Sequence, residues 1–136
     1  MAITLTVADL QHVAVGVSGP DGANRMFITT GRVNTNQTAA SNQTTKENYS
    51  IHVEPLLSAS QFRRAIASVA FAELEFLDYN ASQNDGMRWR IDDVDADFDD
   101  ELGKVGLRFT IEVRTTGTGS ARVGPVSFTV TTLARV

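Results

Sequence analysis

Residues 87–116, MRWRIDDVDADFDDELGKVGLRFTIEVRTT, decide the fold class. Val105, Leu107, Phe109, Ile111 and Val113 fall on every second position, and Lys104, Arg108, Thr110, Glu112 and Arg114 fill most of the gaps. This alternation belongs to a strand with one face buried and the other wet. Val94, Ala96 and Phe98 alternate in the same way with Asp93, Asp95, Asp97 and Asp99. Between the two runs, Asp99–Lys104 reads as a short polar turn in which Gly103 can take a positive φ. The stretch is a β-hairpin, expected at the centre of a sheet.

The hairpin also implies a register. Setting Phe98 opposite Val105 places Ala96 against Leu107 and Val94 against Phe109, with Asp99 facing Lys104 and Asp95 facing Arg108 on the wet side. Trp89 and Ile91 have the other parity, so one extra residue near Asp92 and Asp93 must form a bulge. With that insertion Ile91 meets Ile111, Trp89 meets Val113 as an inward core residue, and Arg90 meets Glu112. A one-residue slip would turn every apolar side chain to water, which specifies the register strongly.

The flanking sequence extends this pattern. Ile3, Leu5 and Val7 read as a first strand, and Val13, Val15 and Val17 as a second after a break at Ala8-Asp9. Gly19-Pro20-Asp21-Gly22 is a turn signal, followed by a third strand around Met26–Thr30. Residues 34–48, NTNQTAASNQTTKEN, carry no large apolar side chain and read as one long polar loop,. Tyr49, Ile51 and Val53 make a fourth strand that stops at Pro55. Over residues 56–78 helix and strand patterns compete. Ser58 and Gln61 could form a capping box, and the preferred reading is a short helical turn over 58–64 followed by one long, bulged strand over 65–78. Residues 80–86 form a loop, and Val126, Phe128 and Val130 lie on a last strand running nearly to the C-terminus. About eight strands with at most one short helix predict a single all-β domain over 1–136, an antiparallel β-sandwich of jelly-roll or immunoglobulin-like build, with a β-barrel as the alternative.

Composition narrows the function classes. At 42% hydrophobic and 21% charged residues, the 136-residue chain suits one soluble domain with one core,. A net charge of -4 argues against a nucleic-acid partner,. The absence of cysteine removes disulfide and thiolate chemistry,. No basic leader opens the chain and no apolar run reaches about 20 residues, so neither a signal peptide nor a membrane span is expected, and the location reads as cytoplasmic or within a soluble assembly.

Candidate sites are few. The acidic run invites calcium, whose hard oxygen ligands Asp99, Asp100 and Glu101 could supply at the turn, or Asp92 and Asp93 at the bulge. Alternate aspartates on a strand stand about 6.5–7 Å apart, too far to clamp one ion unaided, so the structural reading is a solvated face paired to Lys104 and Arg108. His12 and His52 are the only histidines, and nothing in the sequence brings them together. Ser18 lacks the Gly-x-Ser-x-Gly setting of an activated nucleophile. The polar loops could bind hydroxyl-rich small molecules or carbohydrate through Asn36, Asn42 and Asn80, helped by the neighbouring aromatics Tyr49 and Tyr79. With no catalytic constellation and no cofactor motif, the reading is a non-enzymatic structural module whose partner is protein, expected as a homo-oligomer joined through sheet edges. The last strand is the edge first expected to serve; a ligand-binding module is the alternative.

Overall fold

The computed structural model describes residues 2–20 and 22–135. Its strands are β1 (Ile3–Thr4), β2 (Val7–Gly19), β3 (Gly22–Asn34), β4 (Thr38–Ala39), β5 (Thr44–Val53), β6 (Phe62–Phe71), β7 (Leu74–Leu77), β8 (Gly86–Asp99), β9 (Lys104–Thr116), β10 (Ser120–Val123) and β11 (Pro125–Arg135). They form an all-β sandwich rather than a closed barrel. One sheet has the order β1-β5-β9-β8, the other β2-β3-β11-β6, and a small third sheet, β4-β10-β7, lies beside them.

The hairpin of β8 and β9 has the register read from its alternation. Phe98 pairs with Val105, Ala96 with Leu107, Ile91 with Ile111, Trp89 with Val113 and Arg90 with Glu112. The bulge falls between Asp92 and Asp95, where Asp93 adopts φ 54. Because the two bulge residues share one position, Val94 does not simply oppose Phe109. Only β9 is central: β8 is an edge strand. Trp89 therefore keeps its inward parity but remains 51% exposed, since no further strand covers it.

The core lies between the inner rows of the two large sheets. Tyr49, Ile51 and Val53 of β5 and Val105, Leu107, Phe109, Ile111 and Val113 of β9 face Val126, Phe128 and Val130 of β11, all of them at most 4% exposed. Phe128 pairs with Gly31 across the sheet. A Cβ at Gly31 would lie 2.6 Å from Val7 Cγ1 and 2.9 Å from the Phe128 ring, so the missing side chain is what lets the ring lie flat on β3. At the open end of the sandwich Phe62 stacks on Phe98 at 5.2 Å, tying β6 to β8.

Several expectations change. The first strand is only two residues long, and in place of the break expected at Ala8-Asp9 β2 runs on through a bulge between Ala8 and Gln11, with Asp9 at φ 52. The turn after Gly19 falls partly on Asp21, which lies outside the described residues. The supposed loop over 34–48 contains β4 and the start of β5, and Gln37 and Ala39 within it are buried. Ser58 and Gln61 do make a turn, with the Ser58 N–H donating to Gln61 Oε1 at 2.9 Å, but no helix follows. The only helical piece among the described residues is a 3-10 turn at Ala81–Gln83. The parity change after Phe71 is the passage from β6 in one sheet to β7 in another, not a bulge in one strand. The last strand, β11, lies between β3 and β6 and is no edge at all.

Two substitutions test this packing by chemical denaturation. Leu107→Ala, at a position with no exposed surface, should cost about 2–5 kcal/mol. Gly31→Ala should cost about 1–3 kcal/mol by overpacking against Phe128 and Val7, although alanine elsewhere on a strand normally helps.

Candidate functional site

Of the residues singled out as ligand or metal positions, Tyr49 alone is buried. Tyr49 is 2% exposed and its hydroxyl donates to Gln37 Oε1 at 2.9 Å; burial pushes its phenol pKa up. The Gln37 amide nitrogen donates to Ile111 O at 3.1 Å and Thr45 Oγ1 at 3.0 Å. One buried glutamine thus anchors the polar segment to β5 and β9. Asn36 and Asn42 take left-handed backbone conformations, at φ 54 and 51, and Asn42 Oδ1 accepts the Gly117 N–H at 2.9 Å. Asn80 caps the 3-10 turn, its Oδ1 accepting the Ser82 N–H at 3.0 Å. Tyr79 is 60% exposed and edge-on to Phe76, and Asn36, Asn42 and Asn80 are exposed as well.

Asp99, Asp100 and Glu101 border a shallow cleft of about 490 Å³ shared with His52, Asp95 and Asp97. Asp99 is turned inward on its own loop. Its Oδ1 accepts the N–H groups of Glu101 and Leu102, and its Oδ2 lies 3.1 Å from His52 Nε2. Among the described residues no three histidine, aspartate or glutamate side chains converge to hold a metal ion. Although Asp99 faces Lys104 and Asp95 faces Arg108 as expected, Lys104 reaches back to Glu54 at 2.8 Å and Asp99 is taken by His52. His12 belongs to the other sheet, 2.8 Å from Thr29 Oγ1 and stacked on Phe27.

The same wet face is basic at its far end. Arg90 is held by Asp92 at 2.7 Å and Glu112 at 3.0 Å. Arg88 and Arg114 face each other directly across the ladder, an arrangement of like charges that costs stability, and neither forms an ion pair among the described residues.

A surface that the sequence reading did not single out lies on the second sheet. β2 is an edge strand whose residues from Ala8 to Gly16 are all exposed. The outer side chains alternate as Gln11, Val13, Val15 and Val17, and Val13 is 54% and Val15 44% exposed. They continue across the sheet in register: Val13 beside Ile28, Thr131 and Ile66, and Val15 beside Met26 and Leu133. From Leu10 to Pro20 there is no lysine, arginine, aspartate or glutamate. That run of uncharged residues was the available sequence signal, but the same pattern fits a covered strand equally well.

Comparison with protein-family models, with curated proteins and with solved structures gives no match.

Two measurements probe the loops. Gln37→Ala would leave the Tyr49 hydroxyl and the Ile111 carbonyl without their partner, and should lower unfolding stability by about 1–3 kcal/mol. Asp85 supplies a pH test. Its carboxylate accepts the N–H groups of Thr118 at 2.7 Å and Asn80 at 2.8 Å. Burial acts to raise its pKa, but these hydrogen bonds outweigh that and hold it below the usual value; Asp99 is lowered in the same manner by Leu102, His52 and Glu101. Both groups are more acidic folded than unfolded. Their contribution is therefore complete above the unfolded carboxylate range and is lost as pH falls through the lowered folded values. The melting temperature should drop on acidification below about pH 4, and Asp85→Asn should flatten that drop while lowering stability at neutral pH.

Proposed function

We propose that the protein is a non-enzymatic structural module that joins protein partners through the free edge of its second sheet. The observation that carries this reading is β2. A long edge strand presents a row of unpaired N–H and C=O groups, and proteins ordinarily blunt such edges with charge, proline, bulges or shortness. The edges of the first sheet follow that rule: β1 has two residues, and β8 is bulged and rich in charge. On the second sheet the opposite edge, β6, carries Arg63 and Arg64. Beyond its bulge at Ala8–Gln11, β2 carries none of these devices along the nine residues to Gly19. Strand addition to such an edge supplies main-chain hydrogen bonds for affinity and alternating side chains for specificity.

The alternative, a small-molecule or carbohydrate-binding module, has less support, because Tyr49 is buried in the core and the Asn42 and Asn80 side-chain oxygens accept internal backbone N–H groups. Light scattering on a sizing column over a wide concentration range tests the proposal. The expected result is a mass above the 14.7 kDa of one chain, either alone or with a protein partner captured in stoichiometric amount. A chain that stays monomeric at high concentration and forms no stoichiometric complex would sink it.

A further inference from the structure

We infer that the occupant of the β2 edge is the β2 strand of a second copy, paired antiparallel about a two-fold axis at Val15. This rests on the assembly reading above and specifies its partner and register. Three observations converge. First, the regular part of the edge runs from Gln11, where the bulge ends, to Gly19, where the hairpin closes, and its midpoint is Val15. A two-fold axis there overlaps the whole regular stretch of both copies.

Second, the side chains are self-complementary under that operation. On the outer face Val13 meets Val17 of the second copy, Val15 meets its own counterpart, and Val17 meets Val13. The seam of valines then joins the apolar rows that already run through Ile28 and Met26, forming one continuous apolar surface across both sheets. On the inner face only Ala14, Gly16, Ser18 and His12 meet, so bulk does not obstruct the approach. An isologous contact of this kind requires each patch to match itself.

Third, the backbone and the charges agree. Gly19 and Gly22 pair across the hairpin turn, so counting back in twos the odd-numbered residues bond to β3 while residues 12, 14, 16 and 18 direct their N–H and C=O groups to the open side. A two-fold axis at Val15 sets 14 against 16 and 12 against 18, which satisfies those groups in hydrogen-bonded pairs and leaves Val15 in a close, non-hydrogen-bonded pair. Each chain carries a net charge of -4, yet the seam carries no lysine, arginine, aspartate or glutamate. Two copies can thus meet here without bringing like charges together.

The test is a charge swap at the axis, read by native mass. Val15→Lys and Val15→Glu each place two like charges against one another and should be monomeric at concentrations where the parent protein is dimeric. An equimolar mixture of the two should restore the dimer, a rescue that general destabilisation would not give. If the parent is oligomeric and both variants remain so, or the mixture fails to recover it, this pairing is overturned while assembly through another surface stands. A parent monomeric under all conditions overturns this pairing, and overturns the assembly reading too if it forms no stoichiometric complex with another protein. Should either charged variant fail to fold, Val15→Cys serves in its place: in a chain with no other cysteine it should form disulfide-linked dimers on mild oxidation, and an oligomeric sample that yields none, or that cross-links more readily through Ala14→Cys, refutes the register.

Discussion

The burial of one face of β9 is the constraint on which the rest of the structure depends. Five side chains, Val105 to Val113, are removed from water on a central strand, and each apolar side chain buried in this way contributes about 1.5–3 kcal/mol relative to exposure. That row fixes the register of both neighbours. β5 aligns Tyr49, Ile51 and Val53 with Phe109, Leu107 and Val105, and β8 must insert a bulge to keep Ile91 on the same face. It also determines where polarity is tolerated: Gln37 can be buried because its amide reaches the Ile111 carbonyl and the Tyr49 hydroxyl.

The two sheets end differently. The first sheet terminates in a two-residue strand on one side and a charged, bulged strand on the other. β6 carries two arginines and is clamped to β8 by the Phe62–Phe98 stack. β2 has no comparable protection, and its outer valines merge with Ile28, Met26 and Leu133 into an apolar stripe. This surface offers main-chain hydrogen-bonding groups and apolar area, and from Leu10 to Pro20 its one titratable side chain is His12.

The opposite outer face has the reverse character. Its aspartates, arginines and glutamates are arranged with acid at the turn end and base near Arg88 and Arg114, and the ion pairs they make are exposed, each contributing only about 0–1 kcal/mol. The acidic run that suggests calcium from sequence is dispersed along a strand or folded back onto its own turn and His52. Likewise, of the polar residues that suggest ligand loops, Asn42 accepts the Gly117 N–H and Asn80 caps the 3-10 turn.

The sequence by itself determined the fold class, the register of the β8–β9 hairpin, the existence of its bulge, and most of the inner row, because each follows from side chains alternating at period two along adjacent segments. Ile91, Trp89 and Arg90 found the partners their parity required. What only the tertiary structure decided is which strands are central and which are edges. Trp89 has the parity of a core residue and is half exposed because β8 has no outer neighbour, Val15 has the pattern of a covered strand and lies at an open edge, and β11 ends the chain yet lies in the middle of its sheet. Alternation records which face of a strand is apolar, a local property; whether anything lies against that face or beside that strand depends on pairings between segments tens of residues apart, which no local period encodes.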